Sequence, residues 1–276
     1  MYDDLGEKET ALKYFEQALQ IRREVRDRGG VGATLNNLGR VYNVLGEKET
    51  ALKYFEQALQ INREVGDRMR EGVALSNLGR VKFALGNKEE ALRYCEQALE
   101  IFEKIGDRGG EARVLNNLAA FYDVLGKYRE ALEHYERALG IFRMIADLGG
   151  EGVALNNIGR IYKAIGKEKQ ALENYEQALR INREVGDRGG EGVTLHNIGT
   201  IYLEQESYNV ALAYFLLAMK IFEKVQSPSL AISRRYIERL QAELGKDEFT
   251  VLRANVEPQA QQIVDQALGE SKQFPG

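Results

Sequence analysis

The chain repeats itself every 40 residues. The segment LGEKETALKYFEQALQI at 5–21 recurs without change at 45–61, and related versions begin at Leu85, Leu125 and Ile165. A second element keeps the same spacing: ATLNNLGRVYNVLG from Ala33, VALSNLGRVKFALG from Val73, RVLNNLAAFYDVLG from Arg113, VALNNIGRIYKAIG from Val153 and VTLHNIGTIYLEQ from Val193. A period of roughly 20–50 residues marks an array in which each unit buries its apolar face against its neighbours, so it constrains the architecture before any single residue is weighed.

Each unit has two helical parts. In the fourth, Leu155, Ile158, Ile161, Tyr162 and Ile165 are three or four residues apart, the spacing of one helix face, here termed helix A. Ala171, Leu172, Tyr175, Ala178, Leu179 and Val185 form a second stripe, helix B, and the break at Gly166 permits an antiparallel hairpin. The segment GDRGGEG at 186–192 then reads as a connection that ends one helix and starts the next. Gly39, Gly79, Gly159 and Gly199 lie inside helix A, where glycine costs about 1 kcal/mol relative to alanine, so a helix is expected to approach closely there. Ala119 takes that place in the third unit and is expected to open its hairpin slightly.

Composition narrows the function classes. The chain is 44% hydrophobic and 29% charged, as a folded protein is, and it has no apolar run near the roughly 20 residues that cross a bilayer. With no secretory leader at MYDDLGEKET and Cys95 as the only cysteine, the expectation is a cytoplasmic protein that engages no membrane. The 38 basic and 42 acidic residues are interspersed, which disfavours nucleic acid as a partner. His134 and His196 are the only histidines, no HExxH or paired CxxC is present, and the RGGEG segments match no phosphate-binding loop. No metal, no cofactor and no enzymatic activity are therefore expected, and the glutamates read as exposed helix-face residues.

The order Leu155, Ile158, Gly159, Tyr162, Ala171, Tyr175, Ala178 resembles the tetratricopeptide signature over roughly residues 32–226. Arg183 stands where that signature closes with proline, so helix B is expected to run on. The 40-residue unit is similar to the subgroup found in the Pins or LGN polarity adaptors and in many bacterial multidomain proteins. The resemblance implies an all-α, right-handed superhelical solenoid of antiparallel hairpins, with a concave peptide groove lined by the A helices. The expected organisation is an incomplete first repeat at 1–31, mainly helix B; five units at 32–226; capping helices at 227–256; and a terminal helix with a disordered tail, ending SKQFPG, at 257–276.

In the fourth unit the groove face would present Val153, Asn156, Asn157, Arg160 and Ala164. Asn37, Asn77, Asn117, Asn157 and Asn197 form an unbroken register, with Asn36, Asn116, Asn156 and His196 beside them. Amides there can pair with the backbone of an extended peptide or tie neighbouring helices together; both roles are expected. Arg40, Arg80 and Arg160 follow one turn later, interrupted by Ala120 and Thr200, and would favour an acidic peptide. The expected function is a protein-interaction scaffold. The alternatives are a sensor or autoinhibitory module of a larger protein and a self-assembling repeat.

Remaining expectations concern the ends and the irregular positions. Residues 1–28 hold a full helix B behind a stub, YDDLG, of helix A, leaving Tyr14, Phe15 and Ala18 uncovered and a homodimer through that end possible. Leu230, Ile232, Tyr236, Ile237, Leu240 and Leu244 predict a capping helix, followed by helical segments at 247–254 and after Pro258. Asp27, Asp67, Asp107, Asp147 and Asp187, with Arg28, Arg68, Arg108 and Arg188, read as capping and local pairing, the arginine series being broken by Leu148. Lys82, in a tyrosine register, is expected to snorkel while Phe83 supplies the missing bulk, and Cys95 reads as a small buried hydrophobe.

Overall fold

The computed structural model describes residues 2–270, and the disorder expected of the final SKQFPG lies outside them. Helix α1 (Tyr2–Glu24) is followed by five hairpins: α2 (Arg28–Val44) with α3 (Lys48–Val65), α4 (Arg68–Ala84) with α5 (Lys88–Ile105), α6 (Arg108–Val124) with α7 (Tyr128–Met144), α8 (Leu148–Ala164) with α9 (Glu168–Glu184), and α10 (Arg188–Glu204) with α11 (Tyr208–Lys224). Helices α12 (Leu230–Leu244) and α13 (Lys246–Val256), a 3-10 turn at Glu257–Gln259, and α14 (Ala260–Glu270) close the chain. It divides into two compact units, Met1–Ile141 and Phe142–Gly276.

The GDRGG-type segments are not loops. Asp27, Asp107, Asp147 and Asp187 each accept, through Oδ1, the N–H of the glycine three residues on, and Asp67 that of Arg70, at 2.8–2.9 Å, so helix A starts directly after the aspartate. The preceding helix ends on a left-handed residue, Gly66 at φ 72°, for which Ala146 substitutes at φ 55°. The connection therefore shrinks to a turn. Helix α9 runs through Arg183, whose Nε lies 2.9 Å from Glu191 Oε1 across that turn, so an ion pair stands where the signature has proline.

Close approach explains the helix A glycines. A Cβ on Gly39 would stand 2.7 Å from the Phe55 ring, on Gly159 2.8 Å from Tyr175, and on Gly79 2.6 Å from Cys95 Sγ. A second set, Gly32, Gly72, Gly152 and Gly192, meets Asn62, Phe102, Asn182 and Phe222 near the end of helix B in the same way. Cys95 is fully buried as expected, and burial pushes its thiol up to about 12. Ala119 is likewise fully buried.

Several expectations need correction. Glu71, Glu111 and Glu191 are buried rather than exposed, because arginines from two places converge on each. Arg63 and Arg68 pair with Glu71, Arg183 and Arg188 with Glu191, and Arg108 and Arg137 with Glu111. The arginines after the capping aspartates thus serve these glutamates. Lys82 does not simply snorkel: its Nζ is 2.8 Å from Glu90, which holds its pKa above the ordinary lysine value. Phe83 stacks on Phe121 of the following A helix at 4.1 Å instead of filling the tyrosine place.

At the first unit's beginning, YDDLG is no separate stub but part of α1, which is helical from Tyr2. Ala51, Phe55 and Ala58 are 0–1% exposed beneath α2, whereas their identical counterparts Ala11, Phe15 and Ala18 are only half-buried. Tyr14 is 65% exposed. At the other end, Ile237 and Leu240 of α12 are buried, but Ile232 points to solvent, as do Ile165 and Val185 at their helix ends. Helix α14 packs on α11, with Val264 fully buried, so it belongs with α12 and α13 in the cap.

Candidate interaction face on the A helices

After the glycine face has met helix B, one stripe of α2, α4, α6 and α8 remains open. In α8 it carries exposed Val153, half-buried Asn156 and Asn157, and exposed Arg160 and Ala164, the residues anticipated from the repeat. In α2, α4 and α6 the same stripe holds Asn36 and Asn37, Ser76 and Asn77, and Asn116 and Asn117, all half-buried, with Arg40 and Arg80 exposed. The face also includes Arg113, exposed four residues before Asn117, so α6 carries its arginine at the opposite end of the stripe from Arg40. The i, i+4 spacing from Arg113 to Asn117 was the available signal for it.

The asparagines make a ladder between successive A helices. Asn77 Nδ2 donates to Asn36 Oδ1 at 2.9 Å, Asn117 Nδ2 to Ser76 Oγ at 3.2 Å, and Asn197 Nδ2 to Asn156 Oδ1 at 3.1 Å. The second amide of each pair thus reaches back to the first position of the helix before it. This half of the register is structural. The amide nitrogens of Asn36 and Asn156 have no protein partner among the described residues, and they lie on the open stripe.

His196 is placed differently from the asparagines it replaces. Its Nδ1 is 2.9 Å from Ser233 Oγ, and its ring meets Tyr236 edge-on at 4.9 Å, so helix α12 covers it. Burial drives its pKa down to about 4, with Lys163 acting in the same direction. Thr200, at the place of Arg160, is buried; it accepts from Lys163 Nζ at 2.8 Å and donates to Asn197 O. The stripe of α10 is therefore occupied by the chain's own residues near the cap.

Among the described residues, no three or more His, Cys, Asp or Glu side chains are placed to hold a metal, and no helix is long and apolar enough to cross a membrane. His134 stacks on Tyr122 at 5.3 Å, and burial lowers its pKa.

The tetratricopeptide repeat model matches residues 2–64, 70–144 and 150–224. The chain belongs to the tetratricopeptide repeat family. Tetratricopeptide repeats generally mediate protein–protein interaction and are generally non-catalytic. This tetratricopeptide repeat protein shares its fold with BtubC (BKLC) from P. vanneervenii at 21% identity and a TM-score of 0.69, over 79% of this chain and 92% of that one. It also resembles aspartyl phosphate phosphatase F from Bacillus subtilis at 16% identity and a TM-score of 0.63, over 86% and 67% of the two chains. A third likeness is to a signal transduction ATPase with numerous domains carrying a tetratricopeptide repeat sensor, from Pyrococcus horikoshii. There the identity is 18% and the TM-score 0.67, over 93% of this chain and 42% of that one. No curated protein sequence matches.

Proposed function

We propose that the tetratricopeptide repeat protein is an interaction scaffold whose A-helix stripes hold an extended, acidic segment of a partner protein. The observation that carries this reading is the pairing, within each compact unit, of an amide register fixed by interhelical hydrogen bonds with exposed arginines on the same stripe, Arg40 and Arg80 in the first unit and Arg160 in the second. An amide held in place can bond a peptide backbone whatever side chains the peptide carries, while guanidinium groups select carboxylates. In the first unit, three A helices about 10 Å apart span about 20 Å, the length of about six extended residues at ~3.3 Å each. The chain's formal charge of -4 is summed over the whole sequence and does not set the charge of the stripe, where Arg40 and Arg80 are exposed.

The test is selection from a random peptide library on the immobilised protein, repeated with an R40A/R80A/R160A variant whose helical circular dichroism is intact. Enrichment of Asp- and Glu-rich peptides by the wild type, with at least about tenfold weaker binding by the variant, is the expected outcome, since charge-assisted bonds contribute about 1.5–3 kcal/mol each. Equal binding by both proteins would sink the arginine mechanism.

A further inference from the structure

Glutamates recur at one register of the repeat, buried at Glu71, Glu111 and Glu191 and half-buried at Glu151. Each is held by arginine, with Arg63, Arg143 and Arg183 placing Nε 2.8–2.9 Å from the carboxylates of Glu71, Glu151 and Glu191. In the first hairpin that register holds Val31, yet the arginines are retained as Arg23 and Arg28. Arg28 turns to Glu64 of the neighbouring helix, while Arg23 and Arg26 have no ion-pair partner among the described residues.

The space follows the same substitution. In the last hairpin a cavity of about 310 Å³ lies between Arg183, Arg188 and Lys224, with Glu191 in its wall. Its counterpart in the first hairpin measures about 600 Å³ and is lined by Arg22, Arg23, Arg26 and Arg28. Its apolar lining comes from Val31, Leu35 and Ile61, and Glu64 is its sole carboxylate. Arg22 already donates to Gly30 O at 2.6 Å and leans on Asp27, and Arg28 pairs with Glu64, which leaves Arg23 and Arg26 as the lining arginines with no ion-pair partner among the described residues.

We infer that this cavity is a binding site for an external carboxylate, which takes the place that the glutamate side chain fills in the other repeats. Arginine recognises a carboxylate through paired N–H donors, and the apolar wall suits the methylenes of a glutamate-like ligand. The site lies apart from Arg40 and Arg80 and does not depend on the proposed peptide face.

The experiment uses the full chain, with glutarate and a capped Glu-containing tetrapeptide as probes and inorganic phosphate as the comparison. Binding is followed through the Val31 methyl and arginine Nε–H resonances. Two variants decide it. V31E installs the internal carboxylate that four other repeats already carry, and should keep or raise the thermal midpoint while weakening both probes at least about tenfold. R23Q, at an exposed position, should weaken them to a similar degree with the fold unchanged. Tighter binding of the tetrapeptide than of glutarate would assign the carboxylate to a partner protein, and the reverse order to a small dicarboxylate. Unaltered affinity in both variants, phosphate binding as tight as glutarate, or no saturation at millimolar glutarate would overturn the inference. An R40A/R80A/R160A variant should bind glutarate as the wild type does, so the two sites fail separately.

Discussion

Gly159 and Gly140 are both helical, but they meet different surroundings. A methyl group on Gly159 would stand 2.8 Å from the Tyr175 ring and 3.1 Å from the backbone oxygen of Ala171, whereas around Gly140 nothing lies within 4 Å. G159A is therefore expected to destabilise by about 1–3 kcal/mol through overpacking. G140A should stabilise by about 0.5–1 kcal/mol through helix propensity. Opposite shifts of the urea midpoint check the pair, and a G159A protein as stable as the wild type would refute the close-approach account. Asn62 shows the complementary fault. Asn182 Nδ2 donates to Thr194 Oγ1 at 3.2 Å, but Ala74 occupies the corresponding place near Asn62, and neither amide atom of Asn62 has a hydrogen-bond partner among the described residues. The close-approach glycines could be anticipated from their period; the role of Asn62 could not, because its partner's identity changes between repeats.

Between elements, the second and third hairpins share an ion pair at a place where the third and fourth hold an arginine and a glutamine. Arg143 reaches Gln177 of the next B helix, and at the equivalent place one repeat earlier Glu103 pairs with Arg137. Arg137 also serves the buried Glu111 at 2.6 Å. R137Q leaves two carboxylates near one another and is expected to cost about 1–2 kcal/mol, discounted because Arg137 itself is 46% exposed. The double variant E103R/R137Q recreates the neighbouring pattern and should recover most of that loss. A cycle of four denaturation curves measures the coupling, and simple additivity would contradict the shared network. The paired helices were legible from spacing alone, but the buried glutamates were not, since their burial depends on arginines brought from both sides of a turn. Residues 5–21 and 45–61 mark the same limit: one sequence makes a turn at Gly46, φ 86°, where packed α2 precedes it, and continuous helix within α1. The asparagines of the A helices were legible as a register, while their use in tying helices together became specific only when donors and acceptors could be paired.

At the scale of the whole molecule, His196 links the cap of the second unit to pH. His196 has a folded pKa of about 4 against an ordinary 6.5, so between these values the unfolded chain binds more protons. The stability it contributes is complete above about pH 6.5 and is lost as pH falls toward 4, by at most about 3–4 kcal/mol. H196N, which restores the residue of three other repeats, should flatten that part of the profile in thermal melts, and an unchanged slope would locate the pH response elsewhere. The ion pair of Glu103 and Arg137 has a bearing on inheritance as well. Arrays of near-identical segments are prone to unequal crossing-over, which removes or adds a whole repeat. Loss of the hairpin bearing Glu103 would set Arg63 against Arg137, and loss of the one bearing Arg137 would strand Glu103 without its cation. Loss of either hairpin alone would therefore carry a small stability cost that loss of both together would not, since Arg63 would then face Gln177 as Arg143 does now.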